Sequence, residues 1–222
     1  MTKITKITID KQLEEYKINI FKLNYVNIIF LTIAGIVCSS GLLLNNLDYV
    51  LASSIMSVII NPMIAISFLI ATNNLGKLPK TLVQAFIILS ITLLISFIIG
   101  YFNAKYKYVS EPTDQMLLRS NFKKNFFSIE FLIAIISGFG MYFAIMESNM
   151  MTILGFIIVF AIMPPITNAG LQYGMYFNGN PEMKDNDKYL EYGNNSFILC
   201  MINLLGIIIG IVIGRVVFIN LI

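Results

Sequence analysis

Six apolar runs divide the chain, at 26–44, 50–71, 82–102, 129–146, 150–171 and 197–214. Each approaches the roughly 20 apolar residues that a helix needs to cross a bilayer, so the pattern predicts six transmembrane helices. The polar connections alternate in kind. A tight turn at 45–49 lacks Lys and Arg, a loop at 72–81 carries Lys77 and Lys80, and a linker at 103–128 holds five basic residues. A second tight turn at 147–149 again lacks them, and a loop at 172–196 carries Lys184 and Lys188. With the five lysines before the first run, basic residues recur as five, none, two, five, none, two.

Such a recurrence is the mark of an internal duplication. Gly41 precedes Asp48 by seven positions and Gly140 precedes Glu147 by seven, and each acid opens a run that carries proline late. In that register the second half is three residues longer between acid and proline. Each half holds three crossings, an odd number, so the second copy must enter the membrane upside down. The expected fold is an all-α membrane protein of six transmembrane helices in two inverted three-helix repeats. Its single membrane domain covers 26–222, with repeat 1 at about 26–102, the linker at 103–128 and repeat 2 at about 129–222. An N-terminal segment, 1–25, comes first, and its stretch 11–23 mixes apolar residues with lysines and glutamates as a short interfacial helix would. A competing arrangement makes the proline segments re-entrant hairpins that do not cross, which leaves two spans per half and parallel repeats.

Proline sits deep in the second and fifth runs, in Ile59-Ile60-Asn61-Pro62-Met63 and in Ile162-Met163-Pro164-Pro165-Ile166-Thr167-Asn168. In a helix interior proline deletes a backbone bond and costs about 3 kcal/mol, so both helices are expected to be broken there. Broken helices build the solute and ion sites of transporters of inverted-repeat design. Ser53, Ser57 and Asn61 recur every fourth residue and would share one helical face just before Pro62, beside a Val58 carbonyl that has lost its donor. Thr167 and Asn168 are placed to satisfy backbone groups freed by Pro164 and Pro165. A helix restarting after that break would offer amides to an anion, and stranded carbonyls would suit a cation. Against each of these readings stands plain helix packing, for which small polar residues and kinks also serve.

Gly206, Gly210 and Gly214 follow at every fourth position in the last run and allow close backbone approach, either to another span or to a second copy in a homo-oligomer.

Composition narrows the functional classes. At 57% apolar and 12% charged residues, the balance lies far from that of soluble domains, where about a quarter of residues are charged. Mean hydropathy of +0.80 agrees. No basic patch interleaved with aromatics suggests nucleic acid, so membrane lipids are the expected anionic neighbours. With no histidine, and with Cys38 and Cys200 both inside apolar runs, neither a metal site nor a disulfide framework is expected. Nor is a cofactor or catalysis, since no base, phosphate loop or carboxylate pair is offered. Asp48, Glu130, Glu147 and Arg215 fall near run ends and read as boundary residues. Seven basic residues fall on each side of a six-span arrangement, so orientation rests on Arg215 alone, which would snorkel to a cytoplasmic face shared by both termini.

The segment Ala52 to Met63 resembles the first-half motif of the membrane family known as domain of unknown function 389. Leu154-Gly155-Phe156 through Met163-Pro164-Pro165-Ile166-Thr167-Asn168-Ala169-Gly170-Leu171 is similar to its second-half motif. Leu118-Arg119-Ser120, leading into Ile136-Ser137-Gly138-Phe139-Gly140, resembles its arginine-then-glycine entry to the second half. The likeness runs from about Asn24 to Leu171 and implies a six-span membrane domain without naming a substrate. Two functions are in view. One is a small ion or solute transporter, or a channel-like protein, with its pathway at Ser53, Ser57, Asn61, Pro62, Pro164, Pro165, Thr167 and Asn168. The alternative is a non-transporting scaffold that oligomerises along the glycines of the last helix.

Overall fold

The structure is a computed structural model that describes residues 24–73, 75–109, 111–120, 126–147, 149–160, 162–178 and 186–221. The expected interfacial helix at 11–23 lies outside them. Among the described residues all regular structure is helical: α1 (Tyr25–Leu43), α2 (Leu47–Met56), α3 (Ile60–Ala71), α4 (Leu78–Tyr106), α5 (Asp114–Leu117), α6 (Phe126–Met146), α7 (Met150–Phe160), α8 (Met163–Asn178) and α9 (Asn186–Leu221). A 3-10 turn, Leu75–Lys77, leads into α4.

Five helical stretches are long and apolar enough to cross a membrane: Tyr25–Leu43, Leu75–Tyr106, Ser128–Met146, Met151–Asn178 and Asp187–Ile219. The pair α2 and α3, bent by 51° at its junction, makes a sixth if it crosses as one unit. The chain is thus an integral, multi-pass membrane protein. Its outer surface is apolar, with Phe86, Leu94, Leu132, Ile136, Leu205 and Val216 exposed, as contact with lipid requires.

Small and polar side chains turn inward instead. Ser39, Ser67, Thr92, Ser96, Thr167, Asn168 and Gln172 are fully buried. Several hydroxyls are satisfied inside their own helix by bonding the carbonyl four residues back, as Ser67 does to Met63, Thr92 to Ile88 and Ser96 to Thr92. Such residues cost little in a membrane helix and leave a slim surface for neighbours. The α4–α8 contact uses that slimness fully: a methyl group at Gly170 would lie 2.5 Å from the Leu93 carbonyl oxygen, and one at Gly174 would overlap the Phe97 carbonyl.

The two tight turns are built alike. The Asn46 backbone N–H donates to the Gly41 carbonyl at 2.8 Å, and Asn46 Oδ1 caps α2 by accepting from Asp48 N and Tyr49 N. Likewise Asn149 N donates to Ala144 O at 2.9 Å, and Asn149 Oδ1 accepts from Thr152 N at 3.1 Å. Counted from these capping asparagines, Pro62 stands sixteen positions after Asn46 and Pro165 sixteen after Asn149.

At the far end of α4, Lys107 adopts φ 55°, and Asn103 exchanges bonds with Val109 at 3.0 and 3.1 Å. The linker is thereby turned back onto the bundle. There Thr113 Oγ1 donates to the Leu42 carbonyl, Gln115 N donates to Asn45 Oδ1 at 3.0 Å, and Asn195 Nδ2 donates to the Ser120 carbonyl at 2.8 Å. The ends of α1 and α4, the start of α9 and the linker therefore share one end of the bundle. Met116 and Ser120 are fully buried, so this linker is a packed element, and α9 begins eleven residues before its apolar run because Tyr189, Gly193 and Ser196 pack beneath it.

Candidate functional site

Each proline stands in the first turn of a helix. Helix α2 ends at Met56 and α3 begins at Ile60, so Pro62 is the third residue of α3; Pro164 and Pro165 are the second and third residues of α8. First-turn amides have no intrahelical acceptor, so proline is tolerated there at little cost. Local bonds close most of the first junction: Ser57 N donates to Ser53 O at 3.0 Å, Ile59 N to Ser57 Oγ at 3.2 Å, and Asn61 N to Val58 O at 3.2 Å. The Val58 carbonyl is therefore not stranded, contrary to expectation. At α8 the two prolines remove two of the first three amides, and Ile166 N donates to Ile162 O at 3.4 Å, so little is left there for an anion to bind.

The two junctions, a hundred residues apart in sequence, meet around one small cavity. It is lined by Ser54, Ser57, Ile59 and Ile60 from the first and by Ile157, Ile162 and Met163 from the second, with room for about one water molecule. The expected single stripe of Ser53, Ser57 and Asn61 does not form, because the helix ends between its members. Ser57 caps the junction, Asn61 is half-buried on the next helix, and Ser53 turns to a different neighbourhood while Ser54 takes its place at the cavity.

That second neighbourhood is polar and deeper under the linker. Cys38 of α1 has the side chains of Ser53 and Thr167 beside it, with Arg119 close enough to act on it through charge. Thr167 Oγ1 nevertheless makes no hydrogen bond of normal geometry. Asn168 Nδ2 donates to the Met116 carbonyl at 2.9 Å and to Ser196 Oγ at 2.8 Å, and Ser196 Oγ donates to the Arg119 carbonyl at 2.8 Å. Thr167 and Asn168 thus do not serve the backbone at the junction; the first faces α1 and α2, the second pins the linker and α9. Asn168 Oδ1 and both amide atoms of Gln172, one turn further along, are buried without a partner.

Arg119 and Gln172 were not among the expected site residues. The signal for Arg119 lay in the family likeness, where Leu118-Arg119-Ser120 stood out; Gln172 followed the end of the last apolar stretch considered and looked like a loop residue. The Arg119 guanidinium bonds the Gln115 carbonyl and, at 3.0 Å, Gln115 Oε1 through one nitrogen, and burial pushes its pKa below the usual arginine range.

Gly206, Gly210 and Gly214 lie against α6 of the same chain: a methyl group at Gly206 would meet Ala134, one at Gly210 would overlap the Ile135 carbonyl, and one at Gly214 would meet Tyr142. Of the two partners in view for this face, another span or a second copy, the chain's own α6 fills it. Arg215 is only 8% exposed. Asp48 and Glu147 are exposed at the turns and Glu130 is half-buried. Cys38 and Cys200 are buried and unpaired with one another.

The family model described as domain of unknown function (DUF389) matches residues 54–209, and the chain belongs to that family. The match takes in both junctions, the linker and most of α9. No curated protein and no solved structure matches the chain.

Proposed function

We propose that this protein moves a small ion or solute across the membrane, through two inverted three-helix halves whose interrupted helices meet at the cavity between Ser57 and Met163. The observation that carries the reading is that cavity: two distant junctions face each other there, the arrangement on which alternating access in inverted-repeat transporters is built. The matched asparagine-capped turns and the equal spacing to Pro62 and Pro165 support the duplication. So does the exchange of partners between halves, in which α3 packs on α9 and α8 packs on α4. In this reading proline sets each interruption by preventing α2 and α7 from continuing, and no catalytic step is involved.

The scaffold reading draws on the tight interior, since a cavity the size of one water is no open channel. It loses its docking face to α6. Reconstitution in liposomes, with a screen of small ions and solutes for flux, separates the two. The transport reading expects flux above protein-free vesicles, reduced at least tenfold by Ser54→Leu, which fills the cavity. Absence of flux for every solute, or flux indifferent to Ser54→Leu, overturns it.

A further inference from the structure

At the cavity between the two junctions, acceptors gather and donors are withdrawn. Helix α2 stops at Met56, and the carbonyls of Ser54, Ile55 and Ser57 accept no hydrogen bond from the described residues. In a continuing helix the first two would bond the amides of Val58 and Ile59, but the Ile59 amide bonds Ser57 Oγ instead. Ser54 and Ser57 are both buried and both line the cavity. Buried carbonyls are nearly always paired, so unspent ones beside an enclosed space call for an occupant. The Ser54 hydroxyl spends its proton on the Val50 carbonyl at 3.1 Å, which leaves its oxygen only lone pairs to offer.

The field at this spot favours positive charge. Ser54 stands in the last turn of α2 and Ile157 in the last turn of α7, so the cavity lies against the negative ends of two helix dipoles. The positive ends of α3 and α8 also begin here, yet their charge resides in free amides, and proline has thinned these. Pro62 has none and the Asn61 amide is spent on Val58, while Pro164 and Pro165 remove two of the first three in α8. The Val58 amide makes no bond with the described residues, but Val58 does not line the cavity. Four isoleucines and Met163 complete the lining. No charged side chain is present to pair an anion, and no carboxylate to compensate a divalent ion at low dielectric.

We infer that the junction cavity binds one desolvated monovalent cation, no larger than potassium, through the hydroxyl and carbonyl oxygens of Ser54 and Ser57. Room for one water molecule admits sodium, potassium or ammonium and excludes choline. Neutral oxygens take the place of the ion's hydration shell, as carbonyls do in selectivity filters. Histidine and thiolate, on whose absence or burial the expectation of no metal site was based, play no part in such ligation. The inference deepens the transport reading and rests on it, since it names the class of ion that the same cavity would pass. Binding itself is measured without flux.

The test titrates the full chain, in nanodiscs of neutral lipid, with the chlorides of sodium, potassium and ammonium. Choline chloride holds the ionic strength constant, and the melting temperature is the readout. At least one of the three cations should raise it saturably above choline, and calcium at the same ionic strength should not. Ser54→Ala removes a lining oxygen whose proton bonds only its own helix, so it should fold and weaken the apparent affinity at least threefold; Ser54→Leu should abolish the response. Ser67→Ala, which loses a similar hydroxyl of α3 away from the cavity, should leave the affinity unchanged. No stabilisation beyond choline means that water alone fills the cavity and overturns the proposal. So does an affinity unchanged in Ser54→Ala, which would place the ion elsewhere, or a response that follows the anion when nitrate replaces chloride. Flux of a neutral solute with no cation response sinks this inference and leaves the transport reading standing; a cation response lost in Ser54→Leu, without flux of any solute, does the reverse.

Discussion

Asn168 of α8 donates to Ser196 of α9 at 2.8 Å, and Ser196 in turn bonds the carbonyl of Arg119. Two helices and the linker are tied by three atoms in sequence. Asn168→Leu would remove the bonds to the Met116 carbonyl and to Ser196 Oγ and should destabilise the fold by about 1–3 kcal/mol, while Ser196→Ala should cost less. The pair should couple by roughly 0.5–1.5 kcal/mol in a double-mutant cycle read by thermal unfolding in detergent. Strict additivity of the two single variants would remove this link from the account.

The helix α6–α9 contact depends on bare backbone. A methyl group at Gly210 overlaps the Ile135 carbonyl, and backbone cannot give way as a flexible side chain does. Gly210→Ala should therefore cost about 1–3 kcal/mol through overpacking. Gly155 of α7 has open space where a side chain would go, and Gly155→Ala should stabilise by up to about 1 kcal/mol through helix propensity. Opposite shifts in melting temperature for these two variants are the expected result.

Docking of the linker rests on Thr113 against Leu42 and on Asn195 against Ser120. Trypsin should cleave slowly after Arg119 in the native protein because both of its neighbours are held. The double variant Thr113→Val with Asn195→Leu should release the segment and speed that cleavage at least tenfold, as followed by mass spectrometry of the fragments. Equal rates would mean that the linker is not held by these bonds.

Much of the architecture was legible in the chain because the bilayer imposes it: six runs of the right length gave five helical spans and one bent pair, although α9 starts eleven residues before its run. Pro62, Pro164 and Pro165 were expected to interrupt helices, and each stands in the first turn of one, α3 or α8. What escaped was side-chain direction. Ser53, Ser57 and Asn61 share a face only while the helix continues, and it ends at Met56. Gly206, Gly210 and Gly214 announce a close partner without saying which, and the partner is α6. Arg119 sat in a segment whose charges suggested solvent, yet burial of Met116 and Ser120 carries it into the bundle. Polar atoms left unspent at Thr167 and Gln172 have no signature in sequence at all, because an amide looks the same satisfied or not.

The central claim is that the two halves enter the membrane in opposite directions, and it is tested most directly by which side of the membrane their matching turns reach. Asn45 and Glu147 are both exposed at the two asparagine-capped turns, while the native Cys38 and Cys200 are buried and should not react in the folded protein. Single cysteines introduced as Asn45→Cys and Glu147→Cys, treated with an impermeant maleimide in sealed vesicles of defined orientation, should label from opposite faces. Labelling of both from the same face would contradict the account, because it requires two spans per half and repeats that run parallel.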